Sequence, residues 1–67
     1  MALKLEDLKD DEYYTPEQTA EVLGMTKDEV IKEILADRLF GKRGRKGGWI
    51  IRGAKIKEYA EKYGKKE

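Results

Sequence analysis

Between positions 42 and 47 the chain reads Lys42-Arg43-Gly44-Arg45-Lys46-Gly47, four cations and two glycines in a row. No packing role calls for four charges so close together, whereas binding a polyanion does. Arginine side chains enter narrow DNA minor grooves because negative potential is concentrated there. Glycine keeps the backbone thin and accepts positive φ beside phosphates. The plain alternative is a solvated turn. A second group of side chains able to read nucleic acid is Thr26, Lys27, Asp28 and Glu29, followed one turn on by Ile31 and Lys32. Lys27 and Lys32 suit phosphate or the acceptor edge of guanine, and Asp28 or Glu29 the amino group of cytosine. Ile31 suits the methyl of thymine. Ile31 fits the edge of a core equally well, and Glu29 fits capping and the helix dipole better than a base.

Other chemistries fail on inventory. The chain has no His, no Cys and no Ser, so the usual nucleophiles, proton shuttles and zinc ligands are missing. Asp7, Asp10, Asp11 and Glu12 are close together but lack the spacing and central glycine of a calcium loop. No enzymatic activity, metal or cofactor is expected. The aromatics do not interleave with basic residues as in single-strand binders. Trp49 and Tyr59 are expected in the core, Tyr63 in peripheral packing, and Tyr13 exposed. With no cysteine to oxidise and no apolar stretch long enough for a bilayer, the expected setting is the cytoplasm, with no membrane partner.

Sixty-seven residues make one small domain whose core must hold by packing alone. The net charge of +1 hides a division: residues 1–37 carry a balance of −7 and residues 38–67 one of +8. Such asymmetry points to polyanion binding, although Lys and Glu also simply solvate small domains.

The elements that must position these groups follow from local rules. Residues 1–12 are acidic, with Leu3, Leu5 and Leu8 as sparse apolar positions, and are expected to form a mobile arm with at most a short helical turn. Thr15-Pro16-Glu17-Gln18 is a capping box with proline at the first helical position. The helix it starts is expected to stop near Leu23, because Gly24 accepts the left-handed conformation that ends helices. Thr26-Lys27-Asp28-Glu29 is a second capping box, with Met25 and Val30 placed as a hydrophobic staple. Val30, Ile31, Ile34 and Leu35 supply the apolar positions of the second helix. So short a connection gives two helices crossing at a wide angle, with Ala20 at their close approach. Leu39-Phe40-Gly41 and Trp49-Ile50-Ile51 then read as two strands of a hairpin with the cationic run at its tip. Ile56, Tyr59, Ala60 and Tyr63 recur at helical spacing, and Gly64 ends that last helix, with Lys62, Lys65 and Lys66 near its negative end. No Ser, Thr or Asp stands before it as a cap. The expected class is mostly α with a small β-hairpin, in the order helix, turn, helix, hairpin, helix. Its divisions are an arm over residues 1–12, the domain over 13–64 and a tail over 65–67.

From Tyr14 to Tyr63 this pattern resembles the excisionase-type DNA-binding domains, relatives of the MerR head. The resemblance rests on Tyr14, Thr15, Glu17, Ala20, Leu23, Gly24, Met25, Thr26 and Val30, then on Arg38-Leu39 at the helix-to-hairpin junction, Trp49-Ile50-Ile51, Ile56 and Tyr59. Asp37 stands where the family often has Gly, and Phe40 where it has Pro or a small residue. The resemblance implies a winged helix-turn-helix fold and binding of double-stranded DNA, with the second helix in the major groove and the hairpin in the minor groove. The residues it would bring to DNA are Thr26, Lys27, Asp28, Ile31, Lys32, Arg38, Lys42, Arg43, Arg45 and Lys46. A recombination directionality factor and a small transcriptional regulator both fit, and a recombinase or another DNA-bound protein is the implied partner. MerR regulators dimerise through a long C-terminal coiled coil that is not seen here. The expectation is therefore a monomer in solution, with head-to-tail assembly on DNA repeats left open. A second reading stays open beside it: a protein-interaction adaptor of the same fold, docking its acidic half on a basic partner.

Overall fold

Both capping boxes form. In the computed structural model, which describes residues 3–63, Thr15 Oγ1 accepts from the Gln18 N–H at 3.1 Å, and Gln18 Oε1 accepts from the Thr15 N–H at 3.0 Å. Thr26 and Glu29 repeat the exchange at 3.1 and 2.9 Å. These caps open helices α1 (Pro16–Leu23) and α2 (Lys27–Leu35). Gly24 ends α1 in the left-handed region with φ of 70°, where a Cβ would be strained. Met25 and the Thr26 cap complete the connection, and the two helices pack against each other, with Ala20, Leu23 and Val30 all buried.

After α2 the backbone enters the left-handed region again at Asp37, with φ of 67°. A short polar side chain tolerates that conformation better than most, and glycine better still. The turn drops Leu39 into the core, where it is almost fully buried, and leaves Phe40 62% exposed. The expected strand over Leu39–Gly41 therefore does not form. Gly41 passes so close to Ile34 that an added Cβ would lie 3.0 Å from Ile34 Cδ1, and pairing begins only where the chain clears α2. Strand β2 is Lys42–Arg43, so two of the cations assigned to the hairpin tip belong to a strand instead.

β2 pairs antiparallel with β3 (Trp49–Arg52), with Arg43 opposite Trp49 and Lys42 opposite Ile50. A strand not expected from the sequence, β1 (Tyr13–Tyr14), takes the other edge, with Tyr14 opposite Ile51 and Tyr13 opposite Arg52. The sheet has the order β1-β3-β2, so the described fold is three helices with a three-stranded antiparallel sheet. Alternation puts Tyr14 and Ile51 on the core face. Helix α3 (Gly53–Tyr63) follows β3 directly and buries Ile56 and Ala60. The expectations on Gly64, Lys65 and Lys66 lie outside the described residues.

The mobile arm is a correction. Leu8 is only 4% exposed within the core cluster, and Leu3 and Leu5 pack against it. A 3-10 turn spans Leu5–Asp7. The segment then crosses the start of α3. The Gly53 N–H donates to the Glu12 carbonyl at 2.8 Å and the Ala54 N–H to the Asp10 carbonyl at 3.3 Å. The missing cap of α3 is thus supplied by main-chain carbonyls of a segment some forty residues away in sequence, satisfying donors that a helix start otherwise leaves orphaned. Asp10 adds an ion pair with Lys57 at 3.0 Å, and the Tyr14 hydroxyl accepts from the Lys9 N–H at 2.9 Å. An added Cβ on Gly53 would fall inside van der Waals contact with the Lys9 carbonyl oxygen, so this crossing needs glycine there. No helix among the described residues is long and apolar enough to cross a membrane.

Candidate nucleic-acid interface

Hairpin β2–β3 ends in a turn over Gly44, Arg45, Lys46 and Gly47. The Gly47 N–H donates to the Gly44 carbonyl at 3.1 Å, and the Gly44 N–H to the Gly48 carbonyl at 2.7 Å. Gly47 has φ of 90°, a value that side-chain-bearing residues rarely adopt. Arg45 and Lys46 take the two central positions of the turn, and both are exposed.

The two basic strand residues face opposite ways. Arg43 shares the face of its register partner Trp49 and lies over the indole at 4.8 Å from the ring centroid. One of its terminal nitrogens donates to the Gly47 carbonyl at 3.2 Å. Lys42 lies on the other face, over the ring of Tyr13 at 5.2 Å, in line with Ile50 and Arg52. Each cation–π contact is worth about 0.5–1 kcal/mol at such exposed sites, enough to orient a side chain while leaving its charge accessible.

Trp49 is half-buried rather than a core residue. It lines a cleft with Thr15, Pro16, Glu17, Lys27, Ile31 and Gly48. A second depression under the turn shares Thr15, Gly48 and Trp49 and adds Gly44, Arg45, Lys46 and Ile50. The first turn of α2, the start of α1 and the hairpin therefore border one surface, with Trp49 between them. Tyr59 is also only part-buried, while Tyr13 is 45% exposed, as expected. Tyr63 is exposed and leans on Tyr59 with ring centroids 4.9 Å apart.

Of the residues singled out from sequence, these depressions gather Lys27 and Ile31 from α2 with Arg45 and Lys46 from the hairpin, and Arg43 stacks on Trp49 between them, whereas Thr26, Asp28 and Lys32 line neither depression. Ile31 is half-buried at the cleft wall, and Asp28 and Lys32 are exposed beside it. Lys27 is not free: its ammonium pairs with the Glu17 carboxylate at 3.2 Å. A hydrogen bond from its own backbone N–H, and then those from and the charge of Lys27, hold the Glu17 carboxyl below the usual range. Glu17, to which the sequence assigned no place at the interface, thus puts a fixed negative charge in the cleft. Nothing in its local sequence marks the pairing, because its partner lies ten residues away across the turn.

Arg38 belongs elsewhere. Its Nε and one terminal nitrogen grip both oxygens of Glu33 at 2.7 and 3.0 Å, and the Tyr59 hydroxyl donates to the same carboxylate at 3.1 Å. The Arg38 hydrogen bond, opposed by burial and aided by Tyr59, lowers the Glu33 pKa. Burial first, and then the bond to Glu33, raises that of Tyr59. Arg38 lines a different depression with Asp37, Phe40, Lys55, Glu58, Tyr59 and Lys62, and shares none of these residues with the Trp49 cleft. It braces α3 against the end of α2.

Among the described residues no acidic cluster is arranged to hold a metal ion. Compared with family models, with curated proteins and with solved structures, the chain finds no match.

Proposed function

We propose that this chain binds double-stranded DNA sequence-specifically as a small winged helix-turn-helix protein. α1 and α2 are the helix-turn-helix, β2–β3 is the wing, α2 lies in the major groove and the turn at Arg45 and Lys46 enters the adjacent minor groove. The observation that carries this reading is the shared surface: the start of α2 and the hairpin cations line two adjoining depressions that have Thr15, Gly48 and Trp49 in common. Recognition helices reach base edges with their N-terminal residues, here Thr26, Lys27, Asp28, Ile31 and Lys32. The role is binding without catalysis or cofactor, in the cytoplasm, as a recombination directionality factor or a small transcriptional regulator. The adaptor reading is the weaker one, since Asp10, Glu17 and Glu33 are each engaged by cations of the chain itself.

Five exposed cations of α2 and the hairpin, Lys32, Lys42, Arg43, Arg45 and Lys46, have no carboxylate partner among the described residues. Four or five phosphate contacts at a slope of about −0.9 each imply a loss of roughly 150- to 500-fold in duplex affinity between 50 and 200 mM salt. Fluorescence anisotropy with a labelled duplex and its single strand tests this. Preference for the duplex with that salt dependence is expected. Equal affinity for the single strand, or affinity indifferent to salt, would contradict the proposal.

A further inference from the structure

The outer face of α2 is unusual for a surface meant to meet a polyanion. Leu35, which its spacing assigned to the apolar side of the helix, is 70% exposed. The buried side chains of α2 are Val30 and Ile34. At 100° per residue, Leu35 turns away from both and lies one turn beyond Ile31, which itself lines the cleft with Gly48 and Trp49 of the hairpin. Asp28 stands on the same flank of α2, exposed and with no cation partner among the described residues. One carboxylate and two aliphatic side chains cannot serve phosphates. Yet the hairpin beyond the Ile31 cleft is cationic, with Arg43, Arg45 and Lys46 exposed on it. The occupant that satisfies both the hairpin and the face is a polyanion that presents an apolar group. In the major groove of a DNA duplex that group is the C5-methyl of thymine.

We infer that Ile31 and Leu35 form an apolar reading pair that recognises the C5-methyl groups of two thymines in the major groove. The inference rests on the proposed placement of α2 and adds the base identity it selects. Four helical residues rise about 6 Å, and base pairs are spaced about 3.4 Å, so the two thymines stand about two base-pair steps apart. Asp28, one turn before Lys32, accepts from an exocyclic amino group of a neighbouring cytosine, since a carboxylate offers only acceptors.

The test begins by selecting duplexes from a randomised pool with the whole protein. The best duplex is then compared with versions in which single thymines are replaced by deoxyuridine, which removes the methyl and nothing else. Two thymines about two steps apart are expected in the selected site, each replacement weakening binding about fourfold, the factor that one buried methylene-sized group is worth. Leu35→Ala, on an exposed and helix-favouring position, should lose sensitivity to one of the two replacements, and Ile31→Val should reduce sensitivity to the other. Selected sites without such thymines, or deoxyuridine duplexes bound as tightly as the originals, would overturn the inference while leaving duplex binding intact. So would a Leu35→Ala variant that keeps the full sensitivity of the parent. A pool that yields no duplex above background would instead remove the DNA reading, and the inference with it.

Discussion

Glu17→Gln should make the protein bind DNA more tightly. Glu17 sits in the cleft between α1, α2 and the hairpin, 3.2 Å from Lys27. Its carboxyl is held below the ordinary range by its own backbone N–H and by Lys27, so it stays charged at any pH used for binding and repels phosphate. Neutralising it removes that repulsion and frees Lys27 to reach the backbone. One further phosphate contact steepens the salt slope by about 0.9, from about −4.5 to about −5.4. Across a fourfold change in salt, from 200 to 50 mM, the advantage of the variant over the parent should therefore grow about three- to fourfold. Both side chains of the pair are more than half exposed, and exposed pairs contribute little to stability, so the melting temperature should barely move. Anisotropy titrations at several salt concentrations measure the slopes directly. Glu21→Gln is the control, an equal charge change on an exposed α1 position that does not line the cleft. If Glu17→Gln binds no better than Glu21→Gln, or shows the parental slope, Lys27 does not lie against DNA and the placement of α2 is wrong.

Replacing Arg43 and Arg45 together by Ala should weaken duplex binding by about 1–3 kcal/mol without unfolding the domain; unchanged affinity in an anisotropy titration would remove the hairpin from the interface. Leu8→Ala should cost about 2–5 kcal/mol and lower the melting temperature by roughly 10 °C or more, measured by circular dichroism. An unshifted melt would mean that the N-terminal segment is not part of the core. Glu33 has a folded pKa below its unfolded one, through Arg38 first. Its contribution is therefore fully present above the ordinary carboxylate range and lost as pH falls through the depressed folded value. Melting curves from neutral pH to about pH 3 should show a shallower acid limb for Glu33→Gln than for the parent; parallel limbs would show that the Arg38–Glu33–Tyr59 network adds nothing.

The parts legible in the sequence were those decided within a few residues. Thr15 with Gln18, Thr26 with Glu29 and the left-handed Gly24 set both helix starts and the turn between them, because capping is a local exchange of hydrogen bonds. What could not be read was decided by contacts distant in sequence. The hairpin was recognisable, but its first strand begins three residues later than its apolar pattern suggests, because Leu39 is drawn into the core and Gly41 must clear Ile34. The acidic run hid the docking of the N-terminal segment. The traces it left were the uncapped start of α3 and a glycine at its first position, both now explained by the carbonyls of Lys9, Asp10 and Glu12. Of the site, the cationic hairpin and the start of α2 could be named from residue type alone. The engagement of Lys27 by Glu17 and of Arg38 by Glu33 could not, since surface charge pairing leaves no periodic signature.

Amide chemical-shift mapping by NMR, with the whole protein titrated against duplex DNA at low salt, tests the proposed binding mode most directly. The largest shifts should fall on Thr26 to Lys32 and on Lys42 to Trp49, with Leu35 moving as well, while Lys55, Glu58 and Tyr63 on α3 stay nearly still. Shifts centred on α3 and the depression around Arg38 and Phe40, or no shifts at all, would contradict it.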